Sequence, residues 1–518
     1  MANANTIPFV PESGAQSPAS KIFHLLSLGL FTLALLWVSV QMLAAKEWVF
    51  GVLVLMFTAI NFYVFFLEKA YVWRYVLPAI SGVIIFVVFP IIYTFGLSFT
   101  NYSTANLLSF PQSKQYLQNL TYLKDSGEEY DFNLYEENGA FVITLQDPKS
   151  DILYVSNVFN MPDAPIELNV SVIQEFQGTK LPLKTVIQNR TALDFITAVL
   201  PDGTQLSKAG LRTFMSRFQR YKTIGDKEIQ SNETGVIYRA IDETGFFTSD
   251  EGKQLTPGYT VPYGFKNYLK ILTNKGMFEP FIGIFAWTIV FSLLSVVLTL
   301  GLGMMLANIV QWEPIKGRGI FQTLLILPYA IPAFISIQVF KGLFNPNFGE
   351  INKILEFIFN MSPQWFQDPF LAKSMILMVN TWLGYPYMFI LCLGLLQSIP
   401  KDLYEASALE GSGPVSNFFK ITLPLLIKPL LPLLIASFAF NFNNFVVIQL
   451  LTEGGPVILG SSPEAGHTDL LVNYAYGLAF TGDRQDFALA SAVSTFIFMM
   501  VGMIALVYLK FAKIEIKR

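Results

Sequence analysis

Of 518 residues, 53 % are hydrophobic and only 14 % are charged, against roughly 25 % charged in a soluble domain. The formal net charge of −3 gives no field to gather nucleic acid. One cysteine, Cys392, excludes an internal disulfide and a thiolate-held zinc or iron–sulfur centre, and His24 and His467 stand too far apart to form a ligand motif. The chain is expected to hold no cofactor.

Apolar runs long enough to span about 30 Å of hydrocarbon fall at 22–45, 48–67, 75–98, 281–309, 320–340, 374–397, 425–451 and 487–509. They predict eight transmembrane helices. The first is too long for a signal-peptide core and lacks a charged segment before it, so it reads as an anchor. Only Ala45-Lys46-Glu47 separates it from the second, which predicts a tight hairpin. With the N-terminus inside, twelve Lys/Arg lie on the cytoplasmic side: Lys21, Lys69, Arg74, Lys316, Arg318, Lys401, Lys420, Lys428, Lys510, Lys513, Lys517 and Arg518. The short outer pieces hold five: Lys46, Lys341, Lys353, Lys373 and Arg484. This bias places both termini in the cytoplasm and residues 100–277 outside.

The 100–277 insert has soluble composition, with seventeen Lys/Arg and twenty Asp/Glu. Alternating runs at 140–146 (AFVITLQ) and 166–174 (IELNVSVIQ), with turn signals at Asn138-Gly139 and Asp202-Gly203, predict a β-rich domain. A helix or two is expected near 205–222. Asn101, Asn119, Asn169, Asn189 and Asn232 open N-x-S/T triplets, the pattern of glycosylation acceptors. A large outer domain without cysteine nevertheless favours a bacterial periplasm over a eukaryotic exterior.

The stretch 404–426 interrupts two very apolar helices. The Asp402–Glu405 spacing suits a capping box, Gly411 a helix stop, and Pro414 a helix start. Val415, Phe418, Phe419 and Thr422 then form an apolar stripe ending at Leu423-Pro424. Asp402, Glu405 and Glu410 suit a basic protein cleft better than an anionic lipid surface. The pattern EASALEGSGPVSNFFKITLP resembles the EAA motif of ABC-importer permeases, whose coupling helix sits in a cleft of the cytoplasmic ATPase. Glu405, Ala406, Gly411, Ile421, Leu423 and Pro424 match that motif. Ser407 replaces its second alanine, and Glu410 stands where Asp is common.

Two polar stripes run through the later membrane helices. Asn380, Gly384 and Tyr387 share one face of the sixth, and Ser437, Phe440, Asn441 and Asn444 one face of the seventh. Amides at such depth need a partner or a wet cavity. They serve either as interhelical glue or as a carbohydrate pocket, with rings packing on sugar CH faces. No Asp, Glu, Lys or Arg lies on the stripes, which argues against ion-coupled transport. Pro328, Pro332, Pro386, Pro429 and Pro432 are candidate breaks or bends around the site.

Three helices ahead of a long outer insert, together with ILPYAIPAFIS (326–336), NTWLGYPYM (380–388) and ASFAFNFNNFV (436–446), resemble the permeases of bacterial maltose/maltodextrin importers. The resemblance implies sugar contacts at Asn380, Gly384, Tyr387, Ser437, Phe440, Asn441 and Asn444, and also at Tyr329 and Leu383. Ala333 stands where that family can carry serine. Further implied are a homologous second permease, two copies of an ATPase and a periplasmic sugar-binding protein. The chain has no G-x-x-x-x-G-K-[ST]; GPVILGSS (455–462) has the glycines without the lysine. ATP and Mg are therefore expected on the partner ATPase, and no catalytic or metal residue here.

The expectation is an α-helical polytopic protein of the bacterial inner membrane. Its regions are 1–99 (tail and three helices), 100–277 (periplasmic β-rich domain) and 278–518 (five-helix permease core with the coupling segment at 401–424). It would be a non-catalytic subunit importing maltose or maltodextrins by alternating access. The alternatives are a permease for another oligosaccharide or polyol, and a membrane-anchored sensor.

Overall fold

A computed structural model describes residues 18–45, 47–66, 70–123, 129–137, 139–312, 314–481 and 485–516. Of the residues used above, Lys46, Lys69, Arg484, Lys517, Arg518 and Asn138 lie outside these ranges. The chain divides into two compact units, one ending at Thr94 and one beginning at Phe95.

In the first unit, helices Pro18–Ala44 and Trp48–Phe66 form the expected hairpin. The Ser39 hydroxyl donates to the Gly51 carbonyl across it at 2.8 Å. A third apolar helix runs over Trp73–Leu97, with a π-helical turn at Ile84–Val88.

Among the described residues, six helices are long and apolar enough to cross a membrane: Leu26–Ala44, Trp73–Leu97, Lys275–Gln311, Pro369–Leu396, Pro414–Phe442 and Phe487–Leu506. The bent pair Arg318–Ala330 and Ala333–Leu343 is a further candidate span. The helix Trp48–Phe66 is apolar through its 19 residues, within the roughly 17–25 that a span takes.

Two helix boundaries differ from expectation, each for a local reason. The fifth helix bends by 91°. Pro332 has no N–H to give and disfavours helical geometry at the residue before it, and Ile331 is accordingly extended (φ −89°, ψ 128°). The seventh helix starts at Pro414 rather than 425 and stops at Phe442. Asn443 and Asn444 leave helical geometry, as asparagines do when their side chains compete for hydrogen bonds, and a separate helix spans Phe445–Leu451. Pro386, Pro429 and Pro432 lie inside unbroken helices.

The β-rich insert holds two sheets. In the larger, seven strands close on themselves, because Glu129–Glu137 pairs with Thr213–Gln219 as well as with Ala140–Gln146. Ile166–Ile173 and Ile196–Val199 pair in parallel, and the other strand pairs described in this sheet are antiparallel. Closure removes the open edge that invites aggregation, and Phe132, Leu134, Leu145, Leu193, Leu206 and Phe214 fill the interior. The second sheet is a five-stranded meander from Tyr221–Gly225 to Gln254–Leu255.

Both quoted β runs are strands, and Gly203 turns with φ +86°. The helix expected near 205–222 is absent: Gln205–Lys208 and Thr213–Gln219 are strands. Thr213–Gln219 pairs with three neighbours, and that pairing with burial of Phe214 outweighs local helix propensity. Asn101, flagged as a glycosylation acceptor, is buried and bonded, so no sugar can be attached there in the folded chain.

Candidate functional site

The helices Lys275–Gln311 and Pro369–Leu396 run side by side in parallel, and small residues set their spacing. A Cβ on Gly384 would lie 2.7 Å from Thr299 Cγ2, and one on Gly303 would lie 2.7 Å from the Phe389 nitrogen. Glycines that let backbones approach are the usual means of tight packing between membrane helices.

One turn from this contact lies a cluster of buried amides. Asn380 Nδ2 donates to Ser295 Oγ and to Asn441 Oδ1, both at 2.8 Å. Asn444 Nδ2 donates to Asn380 Oδ1 at 3.0 Å, and Asn441 Nδ2 donates to the Ser437 carbonyl at 2.8 Å. Asn380, Asn441 and Asn444 are each less than a tenth exposed. The cluster sits where the seventh helix ends, so the break at 443–444 is what carries the Asn444 side chain across to Asn380.

The structure thus joins Asn380, Ser437, Asn441 and Asn444. The other anticipated contacts lie elsewhere on the chain. Phe440 (71 % exposed), Tyr329 (60 %) and Tyr387 (40 %) project from its surface. Tyr329 occupies the 3-10 turn just ahead of the break, and Ala333 opens the arm beyond it. Gly384 faces Thr299, and Leu383 packs beside the core formed by Trp287, Phe291 and Val379.

Sequence reading missed the contribution of the Lys275–Gln311 helix. Thr288, Ser292, Ser295 and Thr299 are all buried, and their spacing of i, i+4, i+7 and i+11 was the available signal.

The segment at 401–424 folds as two helical pieces, Asp402–Leu409 and a second beginning at Pro414. Gly411 makes the turn with φ +78°. The expected capping box does not form: Lys401 is the N-cap and no side chain caps the helix. Instead the pieces are pinned to each other. Ser407 Oγ donates to Asn417 Oδ1, and the Tyr404 and Thr422 hydroxyls meet at 2.9 Å.

A π turn over Phe418–Thr422 rotates the anticipated stripe. Thr422 turns inward, while Val415 and Phe419 stay exposed. Tyr404, Phe418 and Leu423 pack against a core that includes Met304, Phe389 and Leu426, which ties the segment to three membrane helices. Ile421 is half-buried, and Ala406 and Pro424 are exposed. Asp402, Glu405, Glu410, Leu409 and Val415 form an exposed acidic and apolar surface.

Residues 108–264 match the P2 domain of the maltose transport system permease protein MalF, and residues 299–514 match the inner membrane component of binding-protein-dependent transport systems. The maltose/maltodextrin transport system permease protein MalF of Escherichia coli (strain K12) is 47 % identical over 496 residues, covering 94 % of this chain and 96 % of that protein. Its counterpart in Vibrio vulnificus (strain YJ016) is 49 % identical over 490 residues, covering 92 % of each. The chain belongs to the MalF family.

MalF-family proteins are membrane-spanning ABC-importer permease subunits and not themselves catalysts, and the β-rich insert is their periplasmic P2 domain. A chain from a bacterial ABC transporter involved in the import of the acidic polysaccharide alginate is 21 % identical, with a TM-score of 0.41 over 48 % of this chain and 83 % of that one.

Proposed function

We propose that this chain is the permease subunit of an ATP-driven importer that moves maltose and maltodextrins from the periplasm to the cytoplasm by alternating access. The observation that carries the reading is the buried cluster of Asn380, Asn441 and Asn444 at a helix break. Neutral amides held by one another suit exchange with sugar hydroxyls and bring no ionisable group for ion coupling. Phe440, Tyr387 and Tyr329 supply rings for the sugar faces. The partners are a homologous second permease, two copies of a cytoplasmic ATPase that holds ATP and Mg, and a periplasmic sugar-binding protein.

The acidic and apolar surface of the coupling segment docks on the ATPase, with both termini on the same cytoplasmic side. Closure of the ATPases moves the segment, and the packing of Tyr404 and Phe418 passes that motion to the helices that hold the amides.

Ala333 favours a second reading within the same class. It lacks the hydroxyl that serine would bring, so the preferred oligosaccharide length can differ. The test is ATP hydrolysis by the complex purified through this chain, with and without maltose and the cognate binding protein. Stimulation that requires both supports the reading. Stimulation indifferent to maltose reopens the sugar, and no co-purifying ATPase removes the importer.

A further inference from the structure

Ser295 is wholly buried on the Lys275–Gln311 helix, outside the two stripes. We propose that it is a positioning residue that fixes which donors and acceptors the amide cluster presents to a sugar. The proposal rests on the cluster being the sugar site.

The argument begins at a backbone carbonyl, which can only accept. The Ser437 carbonyl therefore orients Asn441 with its nitrogen toward its own helix and its oxygen toward Asn380. Asn380 must meet that oxygen with its nitrogen, which leaves the Asn380 oxygen to face Asn444 and oblige Asn444 to donate. The second hydrogen on Asn380 Nδ2 goes to Ser295. With both hydrogens held, Asn380 cannot turn over without setting oxygen against oxygen at Asn441.

The polarity of the cluster is thus set by the Ser437 carbonyl, and Ser295 occupies the one Asn380 hydrogen that this polarity leaves over. What remains for a ligand is one amide hydrogen on Asn441, one on Asn444, and the Asn444 oxygen. Two donors beside one acceptor match a pair of neighbouring hydroxyls, one of which donates while both accept. Loss of Ser295 leaves that Asn380 hydrogen unpaired, so the amide plane tilts and a third donor competes for the ligand, which blurs that pattern. The close contact of Gly384 on Thr299 holds the helices at the distance the Ser295 bond requires.

The experiment uses the assembled complex, trapped with vanadate after loading radiolabelled maltose through the binding protein. Ser295→Ala raises the maltose concentration for half-maximal retention roughly five- to tenfold, from a buried donor left unmade. Ser295→Cys, whose somewhat larger thiol accepts only weakly, falls between. In an Asn380→Ala background the serine change adds nothing, because the two act through one bond. Wild-type retention by Ser295→Ala, or a loss that multiplies in the double variant, overturns the role. Equal failure of both Ser295 variants to assemble, read from complex yield and basal ATPase, assigns the serine to packing alone and also overturns it. A wild-type complex that retains no maltose removes the sugar reading itself, and the proposal with it.

Discussion

The neck of the P2 insert and the helical core both bury asparagines, but they bond them differently. At the neck, Asn101 Nδ2 donates to the Thr244 and Tyr259 carbonyls, and its oxygen accepts from the Val261 nitrogen at 2.7 Å. Asn106 donates to the Gly245 and Tyr259 carbonyls, and Asn267 to those of Ser98 and Thr100. Every one of these amide hydrogens is held by main chain that other structure already fixes. In the core, Asn380, Asn441 and Asn444 are bonded chiefly to side chains. A side-chain partner can rotate away and be replaced by a ligand hydroxyl at small cost, whereas a fixed carbonyl left bare costs about 1–3 kcal/mol. The neck asparagines are braces. The proposed sugar site requires the core asparagines to be exchangeable.

The largest expected effect tests the brace. Gly245 sits at φ +75°, and a Cβ there would lie 2.3 Å from both Asn101 Nδ2 and the Tyr259 oxygen. Gly245→Ala combines a backbone that side chains rarely adopt with a clash against two fixed groups. The insert should fail to reach its native state, seen as rapid limited proteolysis within 100–277 while the membrane helices stay resistant. A protease-resistant variant would mean that the neck can move and that the contrast drawn here is false.

Next come the matched asparagine variants. Asn441→Ala should cut maltose uptake by about one to two orders of magnitude, the range of a lost buried hydrogen bond at 1–3 kcal/mol, with complex yield unchanged. Asn106→Ala should do the reverse: proteolysis of the insert accelerates by a comparable factor, and uptake per intact complex holds. If the two variants exchange phenotypes, the amides of the core are glue and those of the neck are functional.

The membrane runs, the hairpin, the insert and the strands at 140–146 and 166–173 were legible because apolar length and period-two alternation are local properties. The two stripes, one holding Asn380 and the other Asn441 and Asn444, were legible for the same reason, as polar residues at helical spacing in apolar runs. Closure of the seven-stranded sheet was not, since it depends on Thr213–Gln219 meeting a strand more than eighty residues earlier. Nor was Ser295, whose role exists only because Gly384 lets two helices approach. The bend before Pro332 was open to reading as a break. The stop at Asn443 was a weaker signal, because a pair of asparagines permits a helix as readily as it ends one.

The smallest effect concerns a buried polar group that follows the neck pattern while being ionisable. Asp469 lies in the loop between Leu451 and Leu471, where its Oδ2 accepts from the Gly466 nitrogen at 2.7 Å. Burial raises its pKa from 3.8 to about 6. A carboxyl raised on folding is a penalty on the ionised native form. The penalty is absent below the unfolded value, grows as pH rises from 3.8 to about 6, and is constant above that. Asp469→Asn keeps an acceptor for Gly466 and removes the charge, so it should stabilise the complex by up to about 3 kcal/mol at neutral pH. Melting of the detergent-purified complex should show the gain in full at pH 7.5 and reduced by about half at pH 5, where most native Asp469 is already protonated. A gain equal at both pH values would mean that the charge was never penalised. A loss at pH 7.5 would mean that the ionised carboxylate, like the brace amides of the neck, is held by a fixed partner strong enough to outweigh its burial.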